Sequence, residues 1–344
     1  MITPQDDRPH PVPPQAFMVW KENWVFPALD RRNRIATLFH ISLRPGQGEG
    51  IFTAKFTIDG EEHRYVGRSP VPRDLTQFQP VANERLRFDI VIPGQRFRIR
   101  FDGDDIAADI TYDARFPAWD FADGPLAPGE SVLGDIGRHV FPYNHYEQSL
   151  THTGTIRFLT GPRAGETVDL SGFACRDHSW GWREDLRFDF HHWLCAAFED
   201  RFIEGSVMQE DFYPHGPKVG GWISTPAGNE AMAAIDTRDA YWMDPTGPFG
   251  PLDRDVRYRL TTVGGRTANI IAHIPKSYGR LYLDARSRDR ATVYHDVQIF
   301  CDFTDADTGE RGEGVLEIGK RVQGAGVADA EAFRPKAKAM VQPR

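Results

Sequence analysis

Arg96-Phe97-Arg98-Ile99-Arg100-Phe101 is the stretch on which the fold turns. Read at a period of two, it puts Phe97, Ile99 and Phe101 on one face and Arg96, Arg98 and Arg100 on the other, as a half-buried strand requires. A helix would scatter both sets around its axis. The arginine stripe reads as a solvated strand face. Asp102-Gly103 directly after it supplies turn chemistry, because glycine accepts positive φ and aspartate tolerates the turn.

The same period recurs outward from this stretch. Ile35, Thr37, Phe39, Ile41 and Leu43 alternate, as do Phe52, Ala54, Phe56 and Ile58, and then Leu86, Phe88, Ile90 and Ile92. Asp59-Gly60 marks another hairpin. Beyond a stretch rich in Pro, Gly and Asp at 117–137, strand patterns occupy 152–159, 168–180, 191–198, 202–210, 219–225, 257–263, 268–274, 293–303 and 314–318. These patterns predict an all-β chain built as an antiparallel meander. Pro4, Pro9, Pro11, Pro13 and Pro14 make residues 1–16 an extended arm, since each removes a backbone donor. A first β domain is expected over 17–140, a second over 141–322, and a tail over 323–344 whose 329–340 portion is either helical or disordered.

The 344 residues are enough for two domains or one large β assembly, and 23 Phe with 8 Trp suit bulky β interiors. A net charge of -8 argues against a protein that holds nucleic acid or anionic membrane by electrostatics. No apolar run approaches the roughly 20 residues of a membrane-spanning helix, and the start lacks the basic-then-apolar order of a secretory signal. Cys175, Cys195 and Cys301 cannot all pair within one chain and are spaced for neither a zinc ribbon nor a disulfide framework, which favours the cytoplasm. Monomer and homodimer both stay open.

Chemistry concentrates in Arg176-Asp177-His178-Ser179-Trp180-Gly181, which ends an alternating run beginning near Val168. Alternation places Arg176, His178 and Trp180 on one face with Val168, Leu170 and Ala174, and Asp177 and Ser179 on the other. Asp177 or His178 can transfer a proton, and Trp180 can wall an apolar pocket and attract a developing cation. The bland alternative is a set of ion pairs with an ordinary core tryptophan. Tyr146-Glu147-Gln148 offers a hydroxyl, an acid and an amide to the same cavity, or else forms a polar edge strand. His191-His192 invites a metal, but adjacent strand residues point apart, so no metal site is expected; either histidine can face the cavity. Asp302, Asp305, Asp307 and Glu310 lack the spacing of a calcium loop and fit a hairpin through Asp307-Thr308-Gly309. Gly46-Gln47-Gly48-Glu49-Gly50 opens no helix and fits a turn better than a phosphate cradle.

Tyr146-Glu147-Gln148, Gly154, Arg176-Asp177-His178-Ser179-Trp180-Gly181 and the strand holding His191-His192-Trp193 together resemble the superfamily of carotenoid 1,2-hydratases (hydroxyneurosporene synthases), AttH-like proteins and kievitone hydratases, with a more distant similarity to tocopherol cyclases. The resemblance is best over 140–200. It implies two lipocalin-like β-barrel or curved-sheet domains around a hydrophobic cavity, and metal-free hydration, dehydration or cyclisation without a cofactor. The expected function is therefore a hydratase/dehydratase-type lyase acting on a hydrophobic isoprenoid, polyketide or aromatic alcohol or alkene, with the active cavity in the second domain or between the two. Asp177 is the leading proton donor or acceptor, His178 orients it or shares its proton, and Trp180 and Tyr146 shape the cavity. Glu147, Gln148, Arg176, His192 and Trp193 contact the substrate. The rival expectations are a noncatalytic carrier of a hydrophobic ligand and a cyclase or isomerase using the same acid.

Overall fold

The computed structural model describes residues 2–183, 188–210, 213–237, 252–283, 285–286, 292–323 and 338–339. Its elements are strands joined by turns and short 3₁₀ segments. In chain order the strands are β1 (Trp20–Asp30), β2 (Ile35–Arg44), β3 (Glu49–Ile58), β4 (Glu61–Pro70), β5 (Val81–Ala82), β6 (Leu86–Ile92), β7 (Arg96–Asp102), β8 (Ile106–Ala114), β9 (Trp119–Asp120), β10 (Asn144–Phe158) and β11 (Thr167–Trp182). There follow β12 (Phe188–Ala197), β13 (Phe202–Glu210), β14 (Lys218–Thr225), β15 (Gly228–Asp236), β16 (Val256–Thr262), β17 (Thr267–Ala272), β18 (Gly279–Tyr282), β19 (Ala285–Arg286), β20 (Thr292–Asp305), β21 (Arg311–Gln323) and β22 (Lys338–Ala339). Among the described residues, no helix is long and apolar enough to cross a membrane.

The chain divides into two compact units, each all-β as the alternation predicts. The first takes residues 1–120, 143–183 and 337–344; the second takes 121–142 and 184–336. A cut at 140–141 is thus overturned. Strand β10 pairs antiparallel with β8, from Leu150 opposite Ala114 to Phe158 opposite Ile106, and β11 pairs with both β10 and β1. The strand carrying Arg176 to Gly181 is therefore part of the first sheet. The 329–340 segment lies mostly outside the described residues; its Lys338 and Ala339 form a parallel pair with His63 and Arg64 of β4 instead of a helix.

The first unit is one curled sheet in the order β22-β4-β3-β2-β1-β11-β10-β8-β7-β6-β5, with β9 added beside β10. Its concave face is aromatic: Phe26, Phe88, Phe97 and Tyr112 meet at ring separations of 5.1 to 6.1 Å, and Phe39 stands edge-on to Phe56 at 5.6 Å. Such pairs add about 0.5–1.5 kcal/mol each beyond burial. The arginine stripe of β7 is solvated as expected, with Arg98 paired to Asp109 and Arg96 to Asp113 on β8. Strand β1 escaped the alternation test because it is buried on both faces and paired on both edges. It also holds Pro27. The ladder to β11 lapses at Phe26 and Pro27, where a proline has no N–H to donate.

The second unit is a closed barrel of eight strands, β12 to β17 with β20 and β21, sealed where Ile270, Ile271 and Ala272 of β17 meet Asp305, Thr304 and Phe303 of β20. Leu194, Ile223, Met232, Leu260, Ile299 and Leu316 fill it. Asp307-Thr308-Gly309 does form the hairpin between β20 and β21, with Gly309 at φ +77°. Gly314 of β21 lies opposite Ala196 in the ladder to β12, and any Cβ there would run into the Cys195 carbonyl oxygen. Gly314→Ala should therefore cost about 1–3 kcal/mol through overpacking. Urea unfolding monitored by far-UV circular dichroism measures it, and an unchanged midpoint would show that the ladder yields.

Candidate functional site

The β10–β11 ladder carries polar chemistry on both faces. Register sets Tyr146 opposite His178, Glu147 opposite Asp177 and Gln148 opposite Arg176, while β1 on the other side sets Trp24 opposite His178 and Val25 opposite Asp177. Side chains opposite one another share a face. Two clusters result, back to back through one layer of backbone.

On the concave face, Arg176 is fully buried. Its Nη1 donates to Asp7 Oδ1 at 2.6 Å and to the Tyr146 hydroxyl at 3.0 Å, and its Nε donates to Gln148 Oε1 at 2.9 Å. The guanidinium lies over the Phe97 ring at 4.1 Å and the Tyr146 ring at 4.8 Å. His178 joins Tyr146 Oη at 3.2 Å through Nδ1 and Glu22 Oε1 at 3.0 Å through Nε2, and stacks on Trp24 at 4.4 Å. Burial disfavours the imidazolium and outweighs Glu22, so the His178 pKa lies below the ordinary histidine value. Glu22 is buried too, yet hydrogen bonds from His10 and His178 hold its pKa below that of a free carboxyl. The result is a neutral imidazole beside an ionised carboxylate.

The convex face holds the second cluster. His145 Nε2 lies 3.0 Å from Asp177 Oδ2 and 3.2 Å from Glu147 Oε1, with both His145 and Glu147 buried. Burial alone would discharge the imidazole. The carboxylates of Asp177 and Glu147 outweigh it and push the His145 pKa up to about 9, so the ring is an imidazolium at neutrality. Asp177 is correspondingly held below the ordinary carboxyl range, by His145 and then Arg183 against the opposing effect of burial. Its side chain keeps 16% exposure against 1% for Glu147, which makes it the member of the trio open to a reaction partner. Nearby on the same face, His40 Nε2 lies 3.3 Å from Asn23 Oδ1. Burial, with Lys21 and Arg183 close by, pushes the His40 pKa down to about 3.

The expected partnership of Asp177 with His178 is overturned. Chain neighbours in a strand project to opposite faces, so the histidine that meets Asp177 is His145 on the adjacent strand. Tyr146, Gln148, Arg176, His178 and Trp180 are brought together with one another, and Glu147 with Asp177. His192 and Trp193 belong to the second unit. There His192 turns inward with Leu194, its Nδ1 3.5 Å from the Tyr258 hydroxyl, while His191 takes the other face with Tyr294 and Glu317. The sequence reading missed Glu22, Asp7, His10 and His145. Glu22 did leave a signal, an acid between Trp20 and Trp24 at period two, and His145-x-Glu147 is an acid–histidine pair on one strand face.

Three groups bring metal-ligating atoms within 4.8 Å of one another among the described residues: His10, Glu22 and His178; His145, Glu147 and Asp177; and His191, Asp296 and Glu317. In the first two, each histidine nitrogen concerned already lies 2.8 to 3.2 Å from a carboxylate oxygen.

A family model described as a domain of unknown function (DUF7064) matches residues 3–322. No curated protein matches at a significant level. Among solved structures, a putative AttH from Nitrosomonas europaea aligns at TM-score 0.56 and 14% identity over 92% of this chain and 96% of its own. Kievitone hydratase from Nectria haematococca aligns at 0.55 and 16% over 87% and 88%, and CghA with Sch210972 at 0.59 and 13% over 92% and 95%. The fold of these structures is the one that the motif resemblance implies.

The raised pKa of His145 ties stability to pH. A histidine whose folded pKa of about 9 exceeds its ordinary 6.5 contributes fully below pH 6.5 and loses that contribution as pH rises through 9. Melting temperature should fall across that window, and His145→Gln should remove part of the fall. Parallel melting curves of the two proteins between pH 6 and about 9.5 read the difference.

Proposed function

The chain belongs to the DUF7064 family, and from its convex-face cluster we propose a hydratase/dehydratase-type lyase that transfers protons to and from a hydrophobic small molecule without a cofactor. The observation that carries this reading is the contact of His145 Nε2 with Asp177 Oδ2 at 3.0 Å, an imidazolium and a carboxylate side by side with the Asp177 side chain 16% exposed. In dehydration, Asp177 takes the proton from a carbon next to the one bearing the hydroxyl. The C–O bond then breaks as Asp177 returns that proton to the departing oxygen, and water leaves. The buried His145 imidazolium stands beside the carboxylate throughout and holds it in place. Hydration is the reverse.

The strengths of these groups choose among substrates. Asp177 is held in its ionised form and has no proton ready for an isolated alkene carbon. It is matched to taking a proton whose carbanion is delocalised by a carbonyl or an extended conjugated system. This supports a β-hydroxy carbonyl compound or its conjugated alkene, the kind of grouping found in polyketides and aromatic ketones, over an unactivated isoprenoid. Glu147 meets the same ring nitrogen of His145 at 3.2 Å and helps to fix the ring, a positioning role.

Asp177→Asn should lower turnover by about 10²–10⁴-fold while the melting transition stays cooperative. Incubation of the wild type with β-hydroxy ketones and conjugated enones, read by mass spectrometry, should show a change of one water. An isobaric product would make the protein a cyclase or isomerase, and unchanged bound compound would make it a carrier.

The rate should also fall as pH rises through about 9, as His145 loses the proton whose charge holds the Asp177 carboxylate in place. An alkaline limb that survives in His145→Gln would assign that proton elsewhere.

A further inference from the structure

The concave-face cluster takes no part in that reaction, and its geometry is that of a filled receptor. Asp7, in the proline-rich arm, is 1% exposed. Its Oδ1 accepts from Arg176 Nη1 at 2.6 Å and from the Tyr146 hydroxyl at 2.7 Å, and its Oδ2 accepts from the Gly94 backbone N–H at 2.5 Å. Three positions on, His10 lays its ring flat on Trp180 at 3.8 Å with an interplanar angle of 9°, while its N–H and Nδ1 meet the carboxylate of Glu22. The arm thus offers the sheet a carboxylate and a flat conjugated ring. It is attached through side chains: its backbone-to-backbone hydrogen bonds are local, from Asp6 to Thr3 and from Arg8 to Gln5, and where its backbone meets a strand the partner is a side chain, as with the Trp24 indole N–H on the Asp7 carbonyl at 3.3 Å and the Tyr146 hydroxyl on the Asp6 carbonyl at 3.2 Å.

Asp7 also leaves the receptor incompletely satisfied. It engages one nitrogen of the guanidinium, and Arg176 Nη2 is buried with no hydrogen-bond acceptor among the described residues. A guanidinium fork is shaped to hold both oxygens of a carboxylate in parallel, and a buried donor without a partner carries a desolvation cost. We propose that this face of the first unit is a binding site for a planar aromatic or conjugated carboxylic acid, and that the N-terminal arm is an internal ligand that such an acid displaces. The exchange replaces one carboxylate by another, so Arg176 is neutralised throughout. The ligand's carboxylate takes both Nη1 and Nη2, and its ring takes the place of His10 on Trp180. Because a tethered ligand competes at an effective concentration of about millimolar, the free acid binds the wild type weakly and the arm sets the threshold.

The probe is 2-naphthoate, with 2-naphthamide as its uncharged match, followed by isothermal titration calorimetry. Asp7→Asn, which weakens the internal carboxylate, should bind 2-naphthoate at least about tenfold more tightly than the wild type, and 2-naphthamide should gain nothing. Arg176→Lys in that background keeps the charge but loses the fork and should abolish the gain. If Asp7→Asn does not fold, His10→Ala takes its place with the same expectation, since it frees the face of Trp180. Hydrogen exchange on the unaltered protein is the independent reading: saturating 2-naphthoate should deprotect the His10 amide, which donates to Glu22 in the docked arm. Equal affinity of variant and wild type, equal binding of the amide, or an arm that stays protected at saturation would each overturn the proposal.

Discussion

A guanidinium cut off from water has to be neutralised where it stands, and at Arg176 that demand organises one whole face of the first sheet. Leaving such a charge alone costs about 3–5 kcal/mol, a large part of a domain's net stability. The nearest strands offer it a hydroxyl and an amide, Tyr146 and Gln148, but no negative charge in hydrogen-bond reach. The anion comes from Asp7, far away in sequence and outside any strand. The docking of the arm, the seat of His10 on Trp180 and the ionised state of Glu22 between two histidines follow from that one requirement.

The opposite face obeys the same physics with the signs exchanged. There the buried excess is negative, from Glu147 and Asp177, and the remedy is to keep a proton on His145. One backbone layer thus separates a neutral histidine on the concave side, His178, from a charged one on the convex side. Their environments push their pKa values in opposite directions.

Much of this was legible in the chain. Half-buried strands such as β7 announce themselves, because one polar and one apolar face leave a clean period of two. Strand β1 does not, since burial on both faces erases the contrast and Pro27 argues against a central strand. The motif Arg176 to Gly181 was visible as a concentration of chemistry, and alternation already separated Asp177 from His178. What a single strand cannot state is which residue of the neighbouring strand stands opposite. That register decides that Asp177 belongs with His145 and Glu147, and it is set by the packing of whole strands against a core. The arm was expected to be extended and instead turns in short 3₁₀ segments at Pro4–Asp7 and Pro14–Ala16, and nothing local in Asp6-Asp7-Arg8 records that one carboxylate ends beneath an aromatic sheet.

Strand β1 is paired on one side by β2, which follows it at once, and on the other by β11, which the ribosome delivers much later. Trp20 must wait for Trp182. In the interval the sheet has a raw edge along β1, and residues 121–142 have emerged whose own partners lie beyond Glu184. Neither unit is a contiguous length of chain. A cut after residue 183 would keep every strand of the barrel in one piece and every strand of the first sheet but β22 in the other, yet it would strand residues 121–142 on the wrong side, and the first unit cannot close during synthesis until that part of the second is already in the solvent.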